Sequence, residues 1–361
     1  MFNFSSAKIT FWVLALVSLS FMVPAQQPDS LSNGVQLMVD TLPDHGIFDL
    51  ISEKDMAGIR LTTDIDALIE KCKQDEYLPG LFTLKKSRKM TWSIPVKIKC
   101  RGKFRLMKCD FPPLKLKFKK DDLAAKGLNE YNELKLVTQC LDEKQASREL
   151  LLREYLVYRL YNLLTPHSLR VQLVNVIYEN TAQRSKNIKQ LGILIEDPQE
   201  LAYRMGGEIS DEMGTPVDSL HRKQEMLVSM FQCMISNADW DYVMCRNVEL
   251  IKMKDDGKVM LVPYDFDFSG LVAAPYARIS SGLGQKNVRD RVYLGACTSL
   301  DDLRPIIQYF LSKQDDLLGF VDQFDELSSE SREDIRNYLL SFFTNLKDDA
   351  KAAGMLTPPA K

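Results

Sequence analysis

The stretch IPVKIKCRGKFRLMKCDFPPLKLKF, Ile94 to Phe118, contains two runs, IPVKIKC and PPLKLKF, in which apolar residues alternate with lysine. Successive side chains on a strand point to opposite faces, so a period of two predicts two half-buried β-strands. NELKLVT, Asn132 to Thr138, repeats the pattern and predicts a third. The connections carry Arg101-Gly102 and the segment Lys119 to Leu128. Upstream, IRLTTDIDALIEKCKQ reads as a strand running into a short helix.

Downstream, ASRELLLREYLVYRLYNLL, Ala146 to Leu164, places leucine and tyrosine at helical spacing, with Ser147 as a cap and Pro166 as a stop. RVQLVNVIY and QLGILIED then predict two strands joined by a polar loop. From about Asp197 the pattern turns helical, and RKQEMLVSMFQCMI, Arg222 to Ile235, runs into NADWDYVMCRN. VELIKMK and KVMLVPYDF form a hairpin through Asp255-Asp256-Gly257. Leu303 to about Ala353 reads as two or three amphipathic helices. Strands lead and helices follow, which predicts an α+β fold. The expected division is a sheet-rich part with one long helix over 44–196 and a helical part over 197–353, with a tail over 354–361.

A formal net charge of −2 gives no overall field favouring nucleic acid. The first residues have one lysine, an apolar stretch Ile9 to Val23, and then Val-Pro-Ala before a polar run, the layout of a secretory signal peptide over residues 1–25. A polar linker over 26–43 follows. Export to the periplasm or medium is expected, with no membrane span once the signal is removed. The seven cysteines lack C-x-x-C spacing, and three scattered histidines argue against a zinc site. Export permits disulfides, and Cys100 with Cys109 can close a hairpin; an odd count leaves at least one thiol unpaired, and buried apolar cysteines are the plainer reading.

The hairpin after the long helix sets NADWDYVMCRN and VPYDFDFSG, Val262 to Gly270, side by side. Asn237, Asp239, Asp241, Asn247, Asp265 and Asp267 then converge at one end of a sheet. Carboxylates and amides without thiolate or imidazole are hard oxygen donors suited to Mg²⁺ or Ca²⁺. Mg²⁺ held by one or two carboxylates usually takes phosphates as further ligands. Lys135 on a strand and Glu154 among apolar helix neighbours are candidate partners of each other, with Glu149 as the alternative. Taken singly, an alternating lysine is ordinarily a solvated sheet face, and Asp-Phe-Asp is ordinarily local turn capping.

In order and kind, VKIKCRGKFRLMKCDFPPLKLKF, NELKLVTQC, LLREYLVYRLYNLLTP, LGILIED, NADWDYVMCRN and VPYDFDFSG resemble the spore-coat protein H (CotH) kinase-like family, over about Pro95 to Tyr276. Within it they look similar to a group of exported bacterial proteins carrying R-G-x-x-R, K-L-V-T, N-x-D-W and V-P-Y-D-F-D-x-S-G. The resemblance implies an atypical, two-lobed protein-kinase-like fold. It also implies ATP with Mg²⁺ (or Mn²⁺) as cofactors and transfer of phosphate to a Ser or Thr of a protein substrate. By the same resemblance Arg101 and Gly102 cover the nucleotide, Lys135 binds phosphate and Glu154 supports it. Asp239 is the catalytic-loop acid, in preference to Asp241. Asn247 and Asp265 are metal ligands, and Asp267 is a second acidic ligand or a cap. The sequence departs from ordinary kinases in its single loop glycine and in Asp-Phe-Asp for Asp-Phe-Gly.

PYARISSGLGQKNVRDRVYLGAC adds Arg278, Lys286, Arg289 and Arg291, which can clamp phosphates or receive an acidic substrate; Arg291 is placed with the nucleotide-binding residues. Two other functions compete. One is a non-catalytic exported module that binds a partner protein or an envelope polymer, with Ca²⁺ in the acidic turn. The other is a hydrolase in which Asp239 and Asp265 hold two metals.

Overall fold

The three lysine-alternating runs do form strands, but the sheet they belong to closes on itself. The computed structural model describes residues 45–357, apart from 54–55, 86–89, 103, 110, 183–185, 281 and 298. The expected signal peptide and linker lie outside the described residues.

Helix α1 (Ile47–Ser52) precedes β1 (Ala57–Thr63), α2 (Ile65–Glu70), β2 (Leu78–Lys85) and β3 (Thr91–Cys100). Next come α3 (Arg105–Lys108), β4 (Leu114–Lys117), α4 (Lys120–Ala124), β5 (Glu133–Val137) and the long α5 (Lys144–Leu164). Strands β6 (Val171–Asn180) and β7 (Ile188–Ile195) complete a closed barrel in the order β1-β2-β3-β4-β5-β7-β6. Neighbours are antiparallel except β1 with β6, whose parallel pairing of Ala57–Thr63 with Val174–Asn180 closes the ring.

Alternation explains how the barrel fills. Ile94, Val96 and Ile98 of β3 point inward with Phe82, Leu116, Leu134 and Leu136, while Lys97 and Lys99 face out. In β6, Val174 and Val176 join this interior, whereas Val171 and Leu173 face α5. β7 divides likewise, Leu194 inward and Ile193 and Ile195 outward. Strands buried on both faces read as continuous apolar runs.

After β7 come α6 (Pro198–Arg204), β8 (Gly207–Ser210), α7 (Arg222–Met234), β9 (Val248–Met253) and β10 (Val259–Pro263). The last three strands make a small antiparallel sheet in the order β10-β9-β8. Helices α8 (Leu300–Ser312), α9 (Gln314–Asp322), α10 (Ser329–Leu346) and α11 (Asp349–Met355) end the chain. One apolar cluster runs from the outer face of β6 and β7 through α5 and α7 to α10, and the described residues belong to one compact unit.

The α+β character holds, but a closed seven-stranded mixed barrel conflicts with a two-lobed protein-kinase-like fold, and that expectation is corrected. The physical reason is a strand the alternation did not mark. LPGLFTLK, β2, begins with Pro79-Gly80, which reads as a turn, yet it is hydrogen-bonded to β1 and β3 on both sides and links them into the ring.

Cys100 and Cys109 are both oxidised, but not to each other. The disulfides are Cys72–Cys100 and Cys109–Cys140. Cys233, Cys245 and Cys297 are free, and of these only Cys233 is buried. Disulfides persist in oxidising compartments, so the two bridges fit an exported protein. Among the described residues no helix is long and apolar enough to cross a membrane.

Candidate functional site

The β9–β10 hairpin pairs Val248 with Pro263, which brings the residue before β9 against the residues after β10. The Tyr264 N–H donates to the Asn247 carbonyl at 3.1 Å, one residue before Asp265. Asn247 and Asp265 both hold left-handed backbone, at φ 53° and 61°, as do nearby Ser236 and Cys245. Such backbone is unfavourable for non-glycine residues and tends to gather at functional sites. The end of α7 is tied to the acidic turn, because Gly270 N–H donates to Ser236 O at 2.9 Å and Leu271 N–H to Ile235 O at 3.0 Å. Gly270 has no room for a side chain: a Cβ there would lie 2.7 Å from Arg289 Cα.

Asp239 meets Asn247 directly. Asn247 Nδ2 donates to the Asp239 carbonyl at 2.7 Å and to its Oδ2 at 3.0 Å, and Arg246 Nε lies 3.4 Å from Oδ1. Asp241 instead turns Oδ1 onto the N–H groups of Val243 and Met244, a local loop cap. Burial raises the Asp239 carboxyl above the usual aspartate range, Asp265 and Asp267 add to this, and Arg246 and Asn247 oppose it.

The buried cation of the site is Arg105, at the start of α3. Its Nε donates to Asp267 Oδ2 at 2.9 Å, its Nη2 donates to Glu154 Oε2 at 2.8 Å, and Nη2 lies 3.7 Å from Asp265 Oδ1. One guanidinium thus faces three carboxylates. Burial, with help from Asp267 and Asp265, raises Glu154 to about 7 against the pull of Arg105. Glu154 Oε1 is buried without a hydrogen-bond partner among the described residues. Tyr158, one turn further along α5, accepts the Asp265 N–H at 2.9 Å. Asp267 also bonds the Tyr276 hydroxyl.

Lys135 and Glu154 do not meet. Lys135 Nζ reaches across to Glu249 Oε1 at 2.9 Å and lies 4.4 Å from the Tyr264 ring centroid, while Arg105 takes Glu154. Glu149 accepts from Ser328, away from these groups. Arg101 donates its N–H to Pro113 O and acts electrostatically on the Tyr158 and Tyr264 phenols; it is in no ion pair with a described residue. Gly102 holds left-handed backbone at φ 84°, which allows the chain to turn into α3. Arg291 lies on the helical side, where it stacks on Tyr338 at 4.1 Å and donates to the Met234 and Tyr338 carbonyls, a structural strut. Arg289 pairs with Asp334.

The site therefore gathers Lys135, Asp239, Asn247, Asp265 and Asp267 along one chain of contacts, with Arg101 beside it and Arg291 elsewhere. Arg105, Glu249, Tyr158 and Tyr276 had no assigned role in the sequence. The one available signal was the second arginine of RGKFR, a charge set between Phe104 and Leu106. Among the described residues no group of three or more His, Cys, Asp or Glu side chains is placed to hold a metal ion. No protein-family model matches the sequence, and no curated protein is significantly similar to it.

Proposed function

We propose that the chain transfers a phosphoryl group from a nucleotide to a protein hydroxyl at the Asp239–Asn247–Asp265 cluster, outside the cytoplasm. The observation that carries this is the joining of the acid loop to the acidic turn, through the Asn247 side chain on Asp239 and the Asn247 carbonyl on Tyr264. The donors fit a small hard cation such as Mg²⁺ or Mn²⁺: the carboxylate of Asp265 and the amide oxygen of Asn247. So few protein ligands leave coordination positions for phosphate oxygens, and the bound cation would neutralise charge on those phosphates. The motif resemblance to CotH-type proteins points to the same chemistry without requiring their fold.

In this reading Asp239 orients the acceptor hydroxyl and takes its proton, a task suited to a carboxyl whose proton affinity burial has raised. The acceptor oxygen forms its bond to phosphorus as the bond to the nucleoside diphosphate breaks. Lys135 and Arg101 supply positive charge toward the phosphates. Arg105, fixed by Glu154 and Asp267, holds Asp265 from behind.

A second reading, a non-catalytic module that binds Ca²⁺ and an envelope partner, draws on the pairing of Lys135 with Glu249 in place of Glu154. Transfer of labelled phosphate from ATP and Mg²⁺ to a protein acceptor separates the two. The first reading requires transfer that Asp239→Asn and Asp265→Ala abolish; Ca²⁺ binding with no nucleotide binding supports the second.

A further inference from the structure

A cavity of about 210 Å³ opens beside Asp239, with Arg246, Phe268, Arg278, Ser280 and Gln285 in its wall. We infer that it is the docking site for an acidic segment of polypeptide that presents its Ser or Thr to Asp239. This inference rests on the phosphotransfer reading of the same site. Charge is the first ground. Two arginines face one carboxylate; among the described residues Arg246 pairs only with Asp239, and Arg278 is in no ion pair. Asp290, on the bordering loop, turns its carboxylate onto the N–H groups of Lys286 and Asn287.

The apolar rim is the second ground. Ile279 lines the cavity and is 47% exposed, and Val243 and Met244 project from the loop that carries Arg246, at 40% and 59%. That loop is held rigidly: Asp241 and Arg246 form an antiparallel bridge, and Asp241 Oδ1 accepts the N–H groups of Val243 and Met244. Gly214 N–H donates to Val243 O, which sets exposed Met213 beside that loop. Exposed apolar side chains on a charged pocket and on the loop that walls it mark a contact surface for a macromolecule. Size agrees, because small-molecule pockets begin at about 300 Å³. This cavity takes a side chain or two while the flanking chain lies over the rim. Lys135, Arg101 and Asp265, the donor-side groups, do not line it.

The test is fluorescence anisotropy with the whole chain, free of nucleotide and metal. The probes are a labelled peptide with one Ser among Glu residues and its counterpart with Lys for Glu. The acidic peptide should bind and the basic one should not. Arg278→Ala should weaken the acidic peptide about tenfold, Ile279→Asp should weaken it too, and added salt should do the same. Equal binding of the two peptides, no binding of either, or indifference to Arg278→Ala overturns the inference. So does displacement of the peptide by ATP alone together with loss of ATP binding in Arg278→Ala, since the cavity would then belong to the nucleotide. Arg278-dependent peptide binding by a chain that transfers no phosphate keeps the docking site and sinks the phosphotransfer reading.

Discussion

Arg105 holds the acidic turn from inside the protein. Removing one partner from a buried ion pair leaves uncompensated charge and costs about 3–5 kcal/mol. Arg105→Met leaves Glu154 and Asp267 facing each other without a cation, so a loss of that size is expected in the unfolding free energy, read as a lower denaturant midpoint; an unchanged midpoint would show the cluster to be dispensable. The same cluster gives stability a pH dependence. Burial lifts Glu154 to about 7 in the folded chain, so between the ordinary glutamate range and about 7 the folded state keeps a proton that the unfolded state has lost. This contribution is fully present below the unfolded value and is lost as pH rises through about 7. Unfolding free energy measured at about pH 5 and about pH 8 should fall with pH, and Glu154→Gln should flatten the slope.

At the scale of elements, the segment bearing Arg105 is tethered at both ends. Cys100, at the end of β3, is bonded to Cys72 after α2, and Cys109, after α3, is bonded to Cys140 after β5. Cross-links of this span stabilise by about 3–4 kcal/mol, mostly by restricting the unfolded chain. Cys109→Ser with Cys140→Ser should lower the melting temperature and also weaken the proposed nucleotide binding, because α3 loses its anchor. Full nucleotide affinity in that variant would separate Arg105 from the site. Strands β3 to β5, the β9–β10 hairpin, α5 and α7 were legible because each carries its own period or turn signal. β2 was not, since Pro79-Gly80 imitates a turn where close packing is the actual demand: a Cβ on Gly80 would lie 2.8 Å from Ile98 Cδ1. β8, four residues long, is too short to show a period.

For the whole molecule, closure of the barrel depends on β1 pairing with β6, strands separated by more than a hundred residues, and nothing local encodes that meeting. The joining of NADWD to the acidic turn was legible because one hairpin makes it. The partners of buried charges were not: Lys135 and Glu154 each found an oppositely charged side chain, but the choice between Glu249 and Arg105 is set by the three-dimensional fold. The barrel, α5 and the small sheet together bring Lys135, Tyr158, Asn247 and Asp265 to one place, and this convergence underlies the proposed chemistry. Its most direct test is transfer of labelled phosphate from ATP to an acidic Ser-containing acceptor in the presence of Mg²⁺, with wild type and Asp265→Ala compared. The account predicts Mg²⁺-dependent transfer that Asp265→Ala abolishes; transfer that survives the substitution, or none from the wild type with nucleotide, metal and acceptor present, contradicts it.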